Sequence, residues 1–242
     1  MYRSFIHLFS IFPGILQGHS NGIDYNNVCK KSFFIEFGYR TQMEKNGADW
    51  FGFTDLVYKN INLDVAILEL RYRKGKSYPP PINMFNELIK DQTVYLIGHT
   101  NGEPMMYDPI TDFYNYSEEE VNKSKEWAIS TGIPYENDYK GIDNQKKILF
   151  HCTFRHGASG ALGVMVMPDH DEPVGVLMLL KGYPEFYYSK PKGSSSLNTQ
   201  KGNFLMVEQG VLLKSIEDDM ELGSEQPRTP ILKNEIFSHR IE

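Results

Sequence analysis

Cysteine is scarce in this chain: Cys29 and Cys152 are the only two in 242 residues. Secreted hydrolases of the digestive type rely on several disulfides, so two distant thiols point to a reducing compartment. An excess of positive charge is also missing. The formal net charge is −6, whereas a domain that grips phosphates is ordinarily basic. Direct DNA binding by this segment is therefore not indicated. No apolar run is long enough to span a membrane. Metal-ligand spacing is absent as well. His99, His151, His156 and His170 follow no zinc pattern, and there is no His-Glu-x-x-His run. Asp169, Asp171 and Glu172 lack calcium-loop spacing and read as a hairpin turn. Neither a metal nor a cofactor is expected.

At the amino end, Ser4 to Phe12 form a short apolar run after Arg3. A signal peptide is one reading, and a secreted hydrolase would need those first twenty residues removed. His7 inside the run and Pro13 at its end argue against it.

Aromatics and short apolar runs are abundant, with 15 Tyr and 15 Phe. The length suits one large all-β unit or two small domains, and it can bury a sizeable core. Strands are expected at 33–39, 63–70, 93–98 and 147–150. A hairpin is expected from 162–167 and 174–180 around the 168–173 turn. The polar span 114–145 reads as an insertion with a short helix from Glu118 to Ala128, Ser117 capping it and Glu120 completing a capping box. Residues 190–202 read as a second loop. Val207, Val211, Leu212, Ile216 and Met220 fall near helical spacing, which predicts one amphipathic C-terminal helix weakened by Gly210. Strands followed by a single terminal helix suit two packed barrels better than a sandwich.

The segment Thr153-Phe154-Arg155-His156-Gly157-Ala158-Ser159-Gly160-Ala161 carries the chemistry. A serine hydroxyl needs a tight turn to present it and backbone N–H groups aimed at the developing oxyanion. Gly157 can adopt a backbone conformation closed to other residues, so its N–H and that of Ser159 can form the oxyanion hole. Gly160 lets the chain leave the turn. Strand on both sides of Ser159 favours the barrel type of hydrolase over the strand–serine–helix elbow. Asp64 opens the alternating strand Asp64-Val65-Ala66-Ile67-Leu68. Its plain reading is a capped strand end. Its functional reading is the carboxylate that orients a catalytic histidine. Upstream of Asp64 stand only His7, in an apolar run, and His19, in a polar loop. Context favours His7.

These residues resemble the aspartate and serine motifs of trypsin-like peptidases. More specifically, the chain resembles the protease domain of the vertebrate "family with sequence similarity 111" proteins. Four stretches carry this: Phe37-Gly38-Tyr39; Ile97-Gly98-His99 with Gly102-Glu103; Phe154 to Gly160; and Val207 to Met220. The similarity spans about Val28 to Met220. It implies a chymotrypsin-like double β-barrel with a C-terminal helix, and a nuclear or cytoplasmic serine protease linked to DNA replication. Such proteases are thought to remove proteins trapped on DNA and to restrict some viruses. Protein substrates and replication-associated or chromatin proteins are the implied partners; a homodimer is compatible with it. The triad carried over is His7, Asp64 and Ser159, and the spacing from His7 to Cys29 suits the family.

The sequence departs from that pattern. Ile6 stands where the family has arginine. Ala161-Leu162 replace the usual small residue and proline. Only six residues precede His7, so an incomplete first barrel is expected from a truncated or mispredicted gene product. The organisation reads as 1–90, a shortened N-terminal barrel carrying His7 and Asp64; 91–222, a C-terminal barrel with the serine motif and helix; and 223–242, a tail. A catalytically impaired binding module or gene fragment is the alternative function.

Two inferences concern specificity and activation. Ala158 stands where digestive enzymes carry an aspartate that pairs with a freshly cut N-terminus, so activation by such cleavage is not expected. Thr153 stands where a trypsin-type pocket carries its charge, so a neutral, apolar or aromatic P1 residue is expected. Lys181-Gly182-Tyr183 would be the edge that pairs with substrate as an added strand.

Overall fold

A computed structural model of the chain describes residues 8–9, 34–37, 49–77, 83–84, 87–100, 104–130, 139–154, 158–167, 172–183 and 206–222. Two antiparallel sheets dominate them. The first contains β1 (Leu8–Phe9), β2 (Phe34–Phe37), β3 (Asp49–Asn60) and β4 (Val65–Leu70), in spatial order β1-β4-β3-β2. The second contains β5 (Val94–Gly98), β6 (Met106–Ile110), β7 (Phe113–Tyr114), β8 (Lys147–Phe150), β9 (Leu162–Met165), β10 (Val174–Tyr183) and β11 (Val207–Leu212). Its order is β6-β5-β9-β10-β11-β8-β7. Two helices complete the set, α1 (Glu118–Ser130) and α2 (Leu213–Leu222).

The edge strands of the second sheet, β6 and β7, are separated in the chain only by Thr111 and Asp112. That two-residue corner joins the sheet's two ends, so the sheet curls round as a half-barrel. Within it, β8, β9, β10 and β11 lie in the order β8-β11-β10-β9. The first sheet repeats this order with β1 to β4, a Greek-key arrangement. Among the described residues it has no counterparts of β5 and of β6–β7. The all-β, chymotrypsin-like plan with a short terminal helix is thus observed, and four strands make up the first sheet among the described residues.

Alternation along the strands builds the barrel core. Ile110, Phe150, Phe154, Met165, Val176, Leu177 and Leu179 are buried together in it. A second cluster lies between the sheets: Leu63, Val65 and Ile67 pack against Met178, Leu180 and Val211, with Leu213, Ile216 and Met220 of α2 closing over them. Burial of such side chains contributes roughly 1.5–3 kcal/mol each, which makes this cluster the main attachment of the first sheet. The loop before β5 also joins the attachment. Gly175 N–H donates to the Asn83 carbonyl (2.8 Å), and Met84 enters the inter-sheet cluster.

The expected helix over Val207 to Met220 is corrected. Val207–Leu212 is strand β11, inside the sheet between β10 and β8, and the helix starts only at Leu213. The i, i+4 spacing of Val207 and Val211 is equally a strand spacing, because both side chains lie on one face of a pleat. Gly210 is tolerated because the strand is crowded there: a Cβ would meet the Met178 carbonyl at 2.9 Å and Phe150 Cε1 at 3.0 Å. The α1 helix begins directly after Ser117, as expected, and runs to Ser130 with Glu118, Glu119 and Glu120 at its positive end. It buries Val121, Ser124 and Ala128, and the Ser124 hydroxyl meets the Tyr139 hydroxyl at 2.7 Å. The span 114–145 therefore contributes to the core as well as to the surface.

Candidate active site

Ser159 sits in a turn between Phe154 and β9. Ala161 N–H donates to the Ala158 carbonyl (2.9 Å), which closes the turn. Gly160 has φ +86°, a region that L side chains rarely enter, so glycine is required for the chain to leave the turn. The turn is then fastened to β10. Gly160 N–H donates to the Leu179 carbonyl (2.8 Å), and Leu179 N–H donates to the Ala161 carbonyl (2.9 Å). Ala158 and Ala161 are buried in the barrel core, while Ser159 is half-buried.

Asp64 lies one residue before β4, in the tight connection from β3. Its φ is +60°, a conformation that aspartate tolerates better than most residues. The connection is held locally and from the second barrel. Asp64 N–H donates to the Ile61 carbonyl (3.2 Å), and Leu63 N–H donates to Asn60 Oδ1 (2.9 Å). Asn144 Nδ2 donates to the Asn62 carbonyl (2.9 Å). Asp219 of α2 accepts from Tyr58 Oη (2.6 Å) and Asn60 Nδ2 (2.5 Å), and Lys146 Nζ lies 3.3 Å from its other oxygen. Leu63 and Val65, on either side of Asp64, share one buried cluster with Met178 and Leu180. Asp64 and Ser159 are thus anchored to the same stretch of β10, one through flanking side chains and the other through backbone.

The electrostatics around Asp64 are unusual for an apolar interface. Lys147, on β8, is buried and its ammonium is pushed toward neutrality, chiefly by burial and also by Lys181, while the Asp64 carboxylate opposes this. Asp219 would be raised by burial alone, but hydrogen bonds from Tyr58 and Asn60 and the Lys146 charge hold it below the usual carboxylate range.

The serine segment begins at the end of β8. His151 lies with Nδ1 2.6 Å from the Met206 carbonyl. A carbonyl can only accept, so Nδ1 carries the proton. The Tyr114 hydroxyl lies 3.1 Å from Nε2, within hydrogen-bond distance. Both nitrogens of His151 are therefore engaged. Next, Cys152 is a buried thiol. Burial pushes it well above its ordinary value and the Glu208 carboxylate adds to this, so it is no nucleophile. Glu208 Oε2 in turn accepts the Cys152 N–H at 3.0 Å.

Thr153 has a partner that sequence reasoning missed. Its N–H and its hydroxyl (2.9 Å) both donate to Oδ2 of Asp108 on β6. The two residues are 45 apart in the chain, and Asp108 stands in no recognisable motif.

Lys181, Gly182 and Tyr183 pair with Gln209, Glu208 and Val207 of β11 on one side. On the other side β9 follows β10 only as far as Met178, and the serine turn takes Leu179. The Lys181 ammonium lies 5.1 Å from the Tyr183 ring centroid, and Tyr183 itself is buried, its hydroxyl donating to Gln209 Oε1 (3.2 Å). His7, His19 and Gly157 lie outside the described residues. No group of three metal-binding side chains occurs among the described residues, and no helix there is long and apolar enough to cross a membrane.

No protein-family model and no curated protein matches the sequence. Among solved structures, the inactive form of the Rv3671c protease is similar over 73% of this chain and 68% of its own, at 14% sequence identity and a TM-score of 0.41. A likeness of that size carries no argument about activity or site residues.

Proposed function

We propose that the chain is a serine endopeptidase acting through an acyl-enzyme. Ser159 Oγ attacks the substrate carbonyl while His7 takes its proton. The Gly157 and Ser159 amides bind the oxyanion, and His7 returns the proton to the leaving amine. Water then attacks the ester by the same route and frees Ser159. Asp64 holds the histidine tautomer and stabilises its cation. The observation that carries this reading is the joint anchoring of the Ser159 turn and the Asp64 connection on Met178–Leu180 of β10. The Lys181–Tyr183 stretch of β10, just beyond, is the proposed edge for an extended peptide added as a strand.

The primary pocket is proposed to take a neutral, apolar or aromatic side chain. Asp108 brings a carboxylate to Thr153, but that carboxylate is buried and engaged by both Thr153 donors. The ratio of kcat/KM for matched peptides with Phe or Lys at P1 tests this. The replication-linked setting in the nucleus rests on the sequence resemblance, and localisation of the tagged chain with a map of its cleaved proteins tests it.

The decisive experiment uses a fluorophosphonate probe. Wild-type protein labels in a time-dependent way. Ser159→Ala abolishes labelling and lowers peptide turnover by several orders of magnitude. His7→Ala and Asp64→Ala also suppress both. Labelling that survives Ser159→Ala removes the assignment, and a folded wild-type chain that never labels points to a non-catalytic module.

A further inference from the structure

Asp108 is about nine-tenths buried, an unusual place for a carboxylate. On β6 it alternates inward with Ile110, while Met106, Tyr107 and Pro109 are exposed. Removing a carboxylate from water is costly unless strong donors receive it. Here one residue supplies two donors to the same oxygen: the Thr153 N–H and the Thr153 hydroxyl. An apolar residue at this position would take the acceptor away from both Thr153 donors. What Asp108 achieves is to fix one backbone position. That position is where the chain leaves β8 and sets out toward the nucleophile.

The consequences run along the segment. Phe154, directly after Thr153, is buried in the barrel core, and so is Ala158, directly before Ser159. Beyond Ser159, Gly160 and Ala161 are tied to Leu179. The far end of the nucleophile segment is thus fastened by β10 and the near end by Asp108. Ala158 offers no carboxylate for an ion pair with a newly cut N-terminus. The tether from β6 needs no cleavage, because donor and acceptor are both present in the folded chain.

We propose that Asp108 is a positioning residue that fixes the start of the nucleophile segment through Thr153, so that Ser159 is presented without proteolytic activation. This rests on the reading of Ser159 as nucleophile. It predicts that catalytic competence and local order at Thr153 fall together when the tether is cut, and return together when an acceptor is restored.

The test uses the full chain with two readouts: the fluorophosphonate labelling rate of Ser159, and amide hydrogen exchange of peptides covering Cys152 to Phe154. Asp108→Ala is expected to slow labelling roughly 10- to 100-fold, as loss of hydrogen bonds to a charged group implies. Its apparent affinity for the probe stays near wild type, and exchange at Thr153 rises. Asp108→Asn keeps an oxygen acceptor for both donors and is expected to restore most of both readouts. If Asp108→Ala does not fold, Thr153→Val removes only the hydroxyl and is expected to slow labelling several-fold. Folded Asp108→Ala or Thr153→Val protein that labels at the wild-type rate overturns the proposal, as does Asp108→Asn behaving like Asp108→Ala. A wild-type chain that does not label refutes the nucleophile reading instead. In that case unchanged exchange at Thr153 in Asp108→Ala separately refutes the tether.

Discussion

Replacing Gly98 with alanine places one methyl group between β5 and the serine turn. A Cβ at Gly98 would lie 2.8 Å from Ala161 Cβ, 3.4 Å from Ala161 Cα and 3.5 Å from Phe154 Cε2. Carbon atoms in good contact sit about 3.5–4.0 Å apart, so the first of these contacts is too close by roughly 0.7–1.2 Å. β5 cannot yield easily, since β6 and β9 pair with it on both edges. Ala161 must move, and it is fastened to Ser159 through Gly160. Overpacking of this kind costs about 1–3 kcal/mol, which for a chain of this size lowers Tm by roughly 2–12 °C. A displacement approaching 1 Å at the proposed nucleophile can cost on the order of 100-fold in rate, so labelling of Ser159 is expected to fall by at least about 10-fold. Calorimetry and probe labelling measure the two effects. Adding Ala161→Gly removes the opposing methyl. The double variant should recover much of the labelling and show a favourable coupling of about 1 kcal/mol or more in a double-mutant cycle. Strictly additive losses would refute the argument that β5 packing holds the turn.

Asp219→Ala should destabilise the attachment of the first sheet by about 1–3 kcal/mol at neutral pH, since Tyr58, Asn60 and Lys146 lose a charged partner. Because this carboxylate is held below its ordinary value in the folded state, its contribution is present above that value and lost as pH falls through the folded one. The gap between wild type and Asp219→Ala in urea melts should therefore close below about pH 4. Gln209→Leu removes the donor to the Gly141 and Ile142 carbonyls and leaves the Tyr183 hydroxyl only the Lys140 carbonyl of the two acceptors named for it. A loss of about 1–3 kcal/mol is expected in chemical denaturation, with KM for extended peptides rising if Lys181–Tyr183 is the substrate edge.

Several strands were legible as short apolar runs bounded by turn residues, as in Val94–Gly98, Lys147–Phe150 and the hairpin of β9 and β10. The long strand β3 was not legible. Its pairing with β4 shifts register between Phe53 and Asp55 and again between Leu56 and Tyr58, and each bulge breaks the two-residue period. β6 was hidden by Pro109, which demotes a run to non-strand when only sequence is considered. β11 was read as helix because a four-residue spacing satisfies both periods. At the site, Ser159 and Asp64 carried local motifs and could be named. The structure places Asp64 just before β4 with positive φ, a detail no motif encodes. The Asp108–Thr153 pair had no signal at all, because nothing local links β6 to the end of β8. His7 and Gly157 lie outside the described residues, so their roles rest on sequence and remain proposals.

The position of β11 has a consequence for synthesis on the ribosome. β11 is late in the chain yet lies between β10 and β8. Until Val207–Leu212 has emerged, β8 and β10 each lack a neighbour and the barrel cannot close. Between the emergence of β10 and that of β11 the nascent chain therefore exposes two apolar strand edges, which favours chaperone binding or association between chains. A frameshift or stop before Val207 should yield an aggregating product rather than a smaller folded one, and loss of solubility should track that boundary closely.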